Sequence, residues 1–220
     1  MSPYTPTSIQ TTLPSTPLPP NSQRQPIATQ RLVVRPLQQD DLEAFHILRT
    51  QPEAMTGTRL GRPDRNMQET QEALDYFLTP NDAEVFLFGA FLDGELIGEG
   101  GVHTLESSGC GWPEIGYKLK KEHWNKGYVT ELLQTVLKAW WKLPRCKVEI
   151  KVHLQSVDAG NPHAEYVYAN TEIDNLASQR VLQKLGFERF SEWTEPDTQE
   201  HRLGEPVTLV GYKLLQKLMT

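Results

Sequence analysis

The stretch KKEHWNKGYVTELL, residues 120–133, carries the clearest chemical signal in the chain. A strand-like run lies behind it and a long helical run ahead. A helix that begins near Tyr128 presents several backbone N–H groups without internal partners, together with a partial positive charge. A diphosphate set there accepts those N–H bonds. Gly127 lets the backbone approach closely or take a positive φ, and Lys121 and Lys126 add charge. The same residues also describe an ordinary strand–turn–helix connection with a glycine in its turn. Proton transfer has three candidates upstream: Glu114 at the start of the strand before the loop, Glu99 between Gly98 and Gly100, and His103, whose pKa range suits the task. Each also reads as structural, Glu114 as a solvent-facing strand end and His103 as a hydrogen-bonded strand residue. Trp112 reads as a pocket wall or as packing. Arg59 and Arg62 lie in a loop that either borders a site or is simply solvated. No Cys/His pair is placed for a covalent intermediate.

The elements that must hold these residues follow from periodicity. LVVRPL, from residue 32, reads as a strand ended by Pro36. Asp40 and Glu43 form a capping box for a helix carrying Leu42, Phe45 and Leu48, and Asn66 and Glu69 repeat the box before a second helix. VFLFGAFL (85–92) turns at Asp93-Gly94, a hairpin signal, into LIGEGGVHTL (96–105). EIGYKL (114–119) is a third strand. Leu132, Leu133, Val136, Leu137, Trp140 and Trp141 then mark a helix with one apolar face. KVEIKVH (147–153) alternates as a strand does, a short helix ends near Gly186, and SEW and VTLVGYKL (207–214) close the order β-α-α-β-β-β-α-β-α-β-β. This is a mixed α/β (α+β) arrangement with antiparallel strands first and a helix crossover later.

The chain has 220 residues, 38% apolar and 23% charged, with net charge −6. That describes one globular domain with a tail. An acidic balance disfavours bulk nucleic-acid binding and mildly favours cationic partners. Two distant cysteines and no Cys/His cluster leave no expected metal site or disulfide. No apolar run reaches the length of a membrane span and no secretory signal is read, so a cytoplasmic protein, monomer or homodimer, is expected. Residues 1–28 are rich in Pro, Ser, Thr and Gln and read as a disordered tail before a domain at 29–220.

A second motif stands at 175–187, NLASQRVLQKLGF. With EIGY-x-L and W-x-K-G-Y-x-T-E before it, the sequence resembles the GNAT N-acetyltransferases, and within them the branch of bacterial ribosomal-protein N-terminal acetyltransferases, over roughly residues 30–215. The resemblance implies a GNAT-like, mostly antiparallel twisted sheet flanked by helices, with strands splayed at an acetyl-CoA site. It implies pantetheine contacts from the backbone of Tyr117, Lys118 and Leu119. It implies a pyrophosphate cradle from Trp124, Asn125, Lys126, Gly127, Tyr128, Val129 and Thr130. It implies Asn175 on the pantetheine, Ser178 near the thioester sulfur as acid, Lys184 at the cofactor, and Glu114 as base for the amine proton. Glu99, His103 and Trp112 fall on the substrate side. The implied reaction moves acetyl from acetyl-CoA directly to a primary amine of a protein N-terminus, a small amine or an amino-sugar. Other readings are a non-catalytic acyl-CoA sensor and a structural interaction domain. Trp124 departs from the usual Gln/Arg, Val129 from a small residue, and Leu182 from a Tyr acid, which leaves that task to Ser178 or water. An insertion at about 154–172, in the stretch QSVDAGNPHAEYVYANTEID (155–174), reads either as a lobe beside the substrate entrance or as a peripheral addition without function.

Overall fold

Strands buried on both faces build the hairpin at the centre of the structure. Phe86, Phe88 and Ala90 are buried on one face, and Asp93 and Gly94 turn the chain with φ of 50° and 87°, the pair of positive values that a two-residue hairpin requires. The computed structural model describes residues 5–216. In chain order the elements are β1 (Pro6–Pro14), β2 (Ile27–Ala28), β3 (Val33–Arg35), α1 (Leu42–Arg49), α2 (Pro52–Met55), α3 (Met67–Asp75), β4 (Phe86–Leu92), β5 (Glu95–Thr104), β6 (Glu114–Leu119), α4 (Tyr128–Trp140), β7 (Arg145–His153), β8 (Tyr166–Glu172), α5 (Leu176–Lys184), β9 (Glu188–Pro196) and β10 (Pro206–Leu215).

Eight strands form the main sheet in the order β2-β3-β4-β5-β6-β8-β10-β9. Every neighbouring pair is antiparallel except β6 and β8, which are parallel. On one face α4 buries Leu132, Leu133, Val136, Leu137 and Trp140, and α5 adds Leu182 to the same cluster. Each such side chain contributes about 1.5–3 kcal/mol of burial. The other face carries Phe45 and Leu48 of α1, Ala54 of α2 and Leu74 of α3 against Leu87 and Leu96. The mixed sheet with flanking helices is the architecture that the sequence resemblance implied. The first helix starts differently from its expected Asp40/Glu43 box. A single 3-10 turn at Gln39–Asp41 precedes it, boxed by Gln38 and Asp41. The cause is Asp41, whose carboxylate is held by Arg35 and by the Gln38 N–H.

Two expectations are overturned. The first is the disordered tail. Residues 1–4 lie outside the described residues, but β1 pairs with β7 over nine positions, from Pro6↔His153 to Pro14↔Arg145. Leu18 is 1% exposed within the main core. Arg24 donates to the carbonyls of Pro19, Asp82 and Val85 and lies over the Phe86 ring. A Pro/Ser/Thr composition hides this because the segment needs no core of its own. It completes the free edge of β7 and reuses an existing apolar surface.

The second concerns the insertion. The strand of the main sheet is β8, inside the presumed insertion, and β7 has been displaced from the sheet to pair with β1. Tyr166, Val167, Tyr168 and Ala169 are all buried, so β8 suits a position covered on both faces. In β7, Val148, Ile150 and Val152 alternate with Lys147, Glu149 and Lys151, which suits a ribbon with one wet face.

Leu18→Ala is expected to cost about 2–5 kcal/mol, the usual range for truncating a buried leucine. Urea unfolding checks it, and a tail that were disordered would give no change.

Candidate active site

β6 and β8 begin side by side and then part. They share one residue pair, Glu114↔Tyr168, next to the bond from Tyr168 N to Pro113 O at 2.8 Å. β6 remains paired with β5 up to Leu119↔Gly98. Lys120 N bonds Ile97 O at 2.8 Å, which directs the even-numbered backbone groups of β6 to β5. By alternation the N–H and C=O groups of Tyr117 and Leu119 face the opening toward β8. The N-termini of α4 and α5 stand at its open end. The result is a V-shaped cleft edged by strand backbone.

The loop into α4 is shaped for its turn. Asn125 and Gly127 have φ of 60° and 82°, and Gly127 is the N-cap of α4. Such left-handed positions beside helical ones turn successive N–H groups to one side. The Trp124 indole donates to Leu119 O at 2.9 Å and ties the loop back to β6. Val129, which stands where the family's loop has a small residue, is partly buried and packs against the main core. Lys121, expected to add charge at the loop, is paired with Glu53 at 2.6 Å. Thr130, Gly127 and Lys184 line a cavity of about 420 Å³ together with Arg31 and Lys138.

Arg31 is the residue of this loop that sequence reasoning missed. Its guanidinium donates to Glu131 and to Lys126 O and lies 4.5 Å from the centre of the Tyr128 ring. Thr29 Oγ1 donates to the same Glu131 carboxylate at 2.6 Å. The chain before β3 therefore clamps the first turn of α4 from outside. The only signal was an acidic residue in a helix's first turn, and nothing in spacing links positions 31 and 131.

At α5, Asn175 caps the helix. Its Oδ1 accepts from Ser178 N at 3.0 Å, while its Nδ2 is left facing the chain at Gly57, where an added Cβ would come within 3.5 Å. Ser178 Oγ lies 2.6 Å from Tyr117 Oη. Leu182 is fully buried in the core and offers the cleft nothing.

Residues at even positions of β6 project to the other face. There Glu114 accepts from Asn170 Nδ2 at 2.7 Å and lies 3.9 Å from His103 Nε2. Burial pushes the Glu114 carboxyl up to about 7. Burial also lowers His103, which favours its neutral form. Asn170 was not singled out from sequence. Glu99, a candidate base, is instead buried and ion-paired with the Lys118 side chain. Trp112, a candidate pocket wall, is fully buried, donates to Ser156 Oγ at 2.8 Å and packs edge-on to Tyr166. Arg62 is committed to Glu69 and Glu200, whereas Arg59 has no hydrogen bond or ion pair among the described residues. Glu95, Glu122 and His123 set one potential ligand atom each within 4.8 Å of one another, with Glu95 already paired to Lys120.

Among the described residues no helix is long and apolar enough to cross a membrane. Solved structures share this fold. One is RimL, the ribosomal L7/L12 alpha-N-protein acetyltransferase, in complex with coenzyme A, at 14% identity and TM-score 0.67, covering 87% of this chain and 98% of that one. The microcin C7 self-immunity acetyltransferase MccE, in complex with acetyl-CoA and AMP, aligns at 10% identity and TM-score 0.65, covering 86% and 94%. A GNAT-family acetyltransferase from Bacillus anthracis aligns at 19% identity and TM-score 0.63, covering 87% and 98%. The model of the acetyltransferase (GNAT) domain matches residues 31–188, which contain both sides of the cleft, and the chain belongs to the GNAT acetyltransferases.

Proposed function

We propose that the protein transfers an acetyl group from acetyl-CoA directly to a primary amine, and that the two substrates meet through the gap between β6 and β8. The observation that carries this reading is the division of labour across β6. Glu114 lies on one face beside the gap, while Tyr117, Ser178 and the α4 N-terminus serve the other. The pantetheine amides pair with the open backbone groups of Tyr117 and Leu119, as a neighbouring strand would, whereas the backbone of Lys118, expected among these contacts, is turned to β5. Asn175 Nδ2 donates to the pantetheine. The amides from Trp124 to Thr130 hold the pyrophosphate, with Lys126 and Lys184 adding charge. Ser178 Oγ stands by the sulfur. Glu114 takes the amine proton directly or through a water, with Asn170 orienting its carboxylate. His103 borders the acceptor. RimL's name makes it an α-N-protein acetyltransferase, so a protein N-terminus is the acceptor to test first, ahead of small amines and amino-sugars. Two unpaired cysteines, Cys110 and Cys146, fit a reducing, cytoplasmic setting.

Titration calorimetry is expected to show one acetyl-CoA site per chain, and Asn175→Ala to weaken it about tenfold, the loss of roughly one hydrogen bond. Absence of binding to the folded protein sinks the proposal. Glu114 is active as a base only when ionised, so kcat/KM should climb about tenfold per pH unit below its midpoint near 7 and level above it. Glu114→Gln should lower kcat/KM by about 10²–10⁴-fold and remove that limb. A limb unchanged in the variant assigns the titration to the amine and the base role elsewhere.

A further inference from the structure

The Tyr acid that many relatives carry on the helix is replaced here by Leu182, which is buried in the core. A different tyrosine reaches the same helix from the opposite wall of the cleft. Tyr117 rises from β6, its ring half-buried against the main core, and sets its hydroxyl 2.6 Å from Ser178 Oγ and 3.3 Å from Ser178 O. A tyrosine hydroxyl has one proton to give, and the shorter contact is to Oγ. Burial raises Tyr117 to about 12, so it stays protonated at neutral pH. Ser178 Oγ has no other hydrogen-bond partner among the described residues. A serine within a helix usually donates back to a carbonyl one turn earlier. With Tyr117 as the donor in the shorter contact, the Ser178 proton is uncommitted, while the backbone N–H of Ser178 is fixed by Asn175 Oδ1.

We propose that Tyr117 is a positioning residue for the leaving sulfur: it donates to Ser178 Oγ and thereby turns the Ser178 O–H into the cleft as a donor to the departing thiolate. This rests on the reading above that sets the thioester beside Ser178. In the reaction the amine nitrogen bonds to the carbonyl carbon, and the C–S bond breaks with its electron pair passing to sulfur. The amine proton passes to Glu114. The sulfur leaves as a thiolate accepting from Ser178 and takes its proton from water on release, so Tyr117 loses no proton. Because hydrogen bonds in series polarise one another, Ser178 becomes a stronger donor than a lone serine. β6 thus supplies opposite faces of one strand to the two ends of the reaction, Glu114 to the amine and Tyr117 to the sulfur.

The test titrates coenzyme A bound to the full-length protein and follows thiolate absorbance in the ultraviolet. A donor to sulfur favours the thiolate, so the bound thiol is expected to have an acid dissociation constant roughly tenfold above that of free coenzyme A. Tyr117→Phe keeps the ring and its packing, and it should abolish most of that shift while leaving coenzyme A affinity within about twofold. Ser178→Ala should abolish it too, and the double variant should lose no more than Ser178→Ala alone. In turnover, Tyr117→Phe should lower kcat about tenfold with acetyl-CoA. It should lower kcat far less with the selenoester analogue, whose leaving group is the stronger acid and needs less help. A shift that survives Tyr117→Phe but not Ser178→Ala overturns the positioning role. A shift that survives Ser178→Ala overturns the placement of the thioester itself, and failure to bind coenzyme A overturns the acetyltransferase reading beneath both.

Discussion

The two halves of the main sheet meet at one residue pair. β2 to β6 form one half and β8, β10 and β9 the other, and only Glu114↔Tyr168 bridges them within the ladder. A sheet cannot remain parted unless something else holds the halves in register and something accounts for the freed backbone groups. Here the holding is done by side chains and helices on both faces. Leu182 of α5 and the apolar stripe of α4 share one core, and Tyr117 reaches Ser178 across the gap. On the far face Gln199 donates to the carbonyls of Thr56 and Thr58, stitching the loop before α3 to the β9–β10 connection. The freed groups of β6 are what a ligand with peptide-like amides can satisfy, so the cleft is at once a break in the sheet and a binding edge.

The ribbon of β1 and β7 packs through Ile9, Leu13, Ile150 and Val152 against Cys110 and Trp112, in the segment that leads into Glu114. Trp112 is pinned by Ser156, His153 N bonds Cys110 O at 2.9 Å, and the Lys213 ammonium reaches Ser156 O and Asp158. These contacts seal the segment immediately before Glu114. Glu114 is partly buried, with Asn170 as its hydrogen-bond donor and no Lys or Arg ion-paired with it among the described residues. Desolvation without compensating positive charge is the condition that raises a carboxyl toward neutrality.

What could be read from the sequence is what local rules determine. The Asp93-Gly94 turn, the apolar face of α4 and the glycine before it are each decided within a few residues, and the paired motifs at 114–130 and 175–187 gave the family. The roles of β1, β7 and β8 could not be read that way, because strand partnership is a long-range choice. KVEIKVH looks like the strand that should enter the sheet, and it yields that place to a segment buried on both faces. The Arg31–Glu131 clamp and the Asn170–Glu114 bond escaped for the same reason. Glu99 and Trp112 were over-read, since nothing in their own neighbourhoods announced that Lys118 and Tyr166 would cover them.

The parity of β6 is the tightest requirement left by this arrangement. Glu114 and Tyr117 lie on opposite faces only because they are three positions apart, an odd offset, and a one-residue slip would exchange every side chain between faces. β5 fixes that register by how closely it lies against β6. At Gly100, opposite Tyr117, an added Cβ would come 2.8 Å from Tyr117 Cβ and 3.3 Å from Leu133 Cδ2. A side chain there would push β6 away from β5, and with it Tyr117 from Ser178. The glycines at 98, 100 and 101 of β5 are therefore what let its neighbours be placed so closely. A packing constraint on one strand becomes a positional constraint on the Tyr117–Ser178 contact across the cleft.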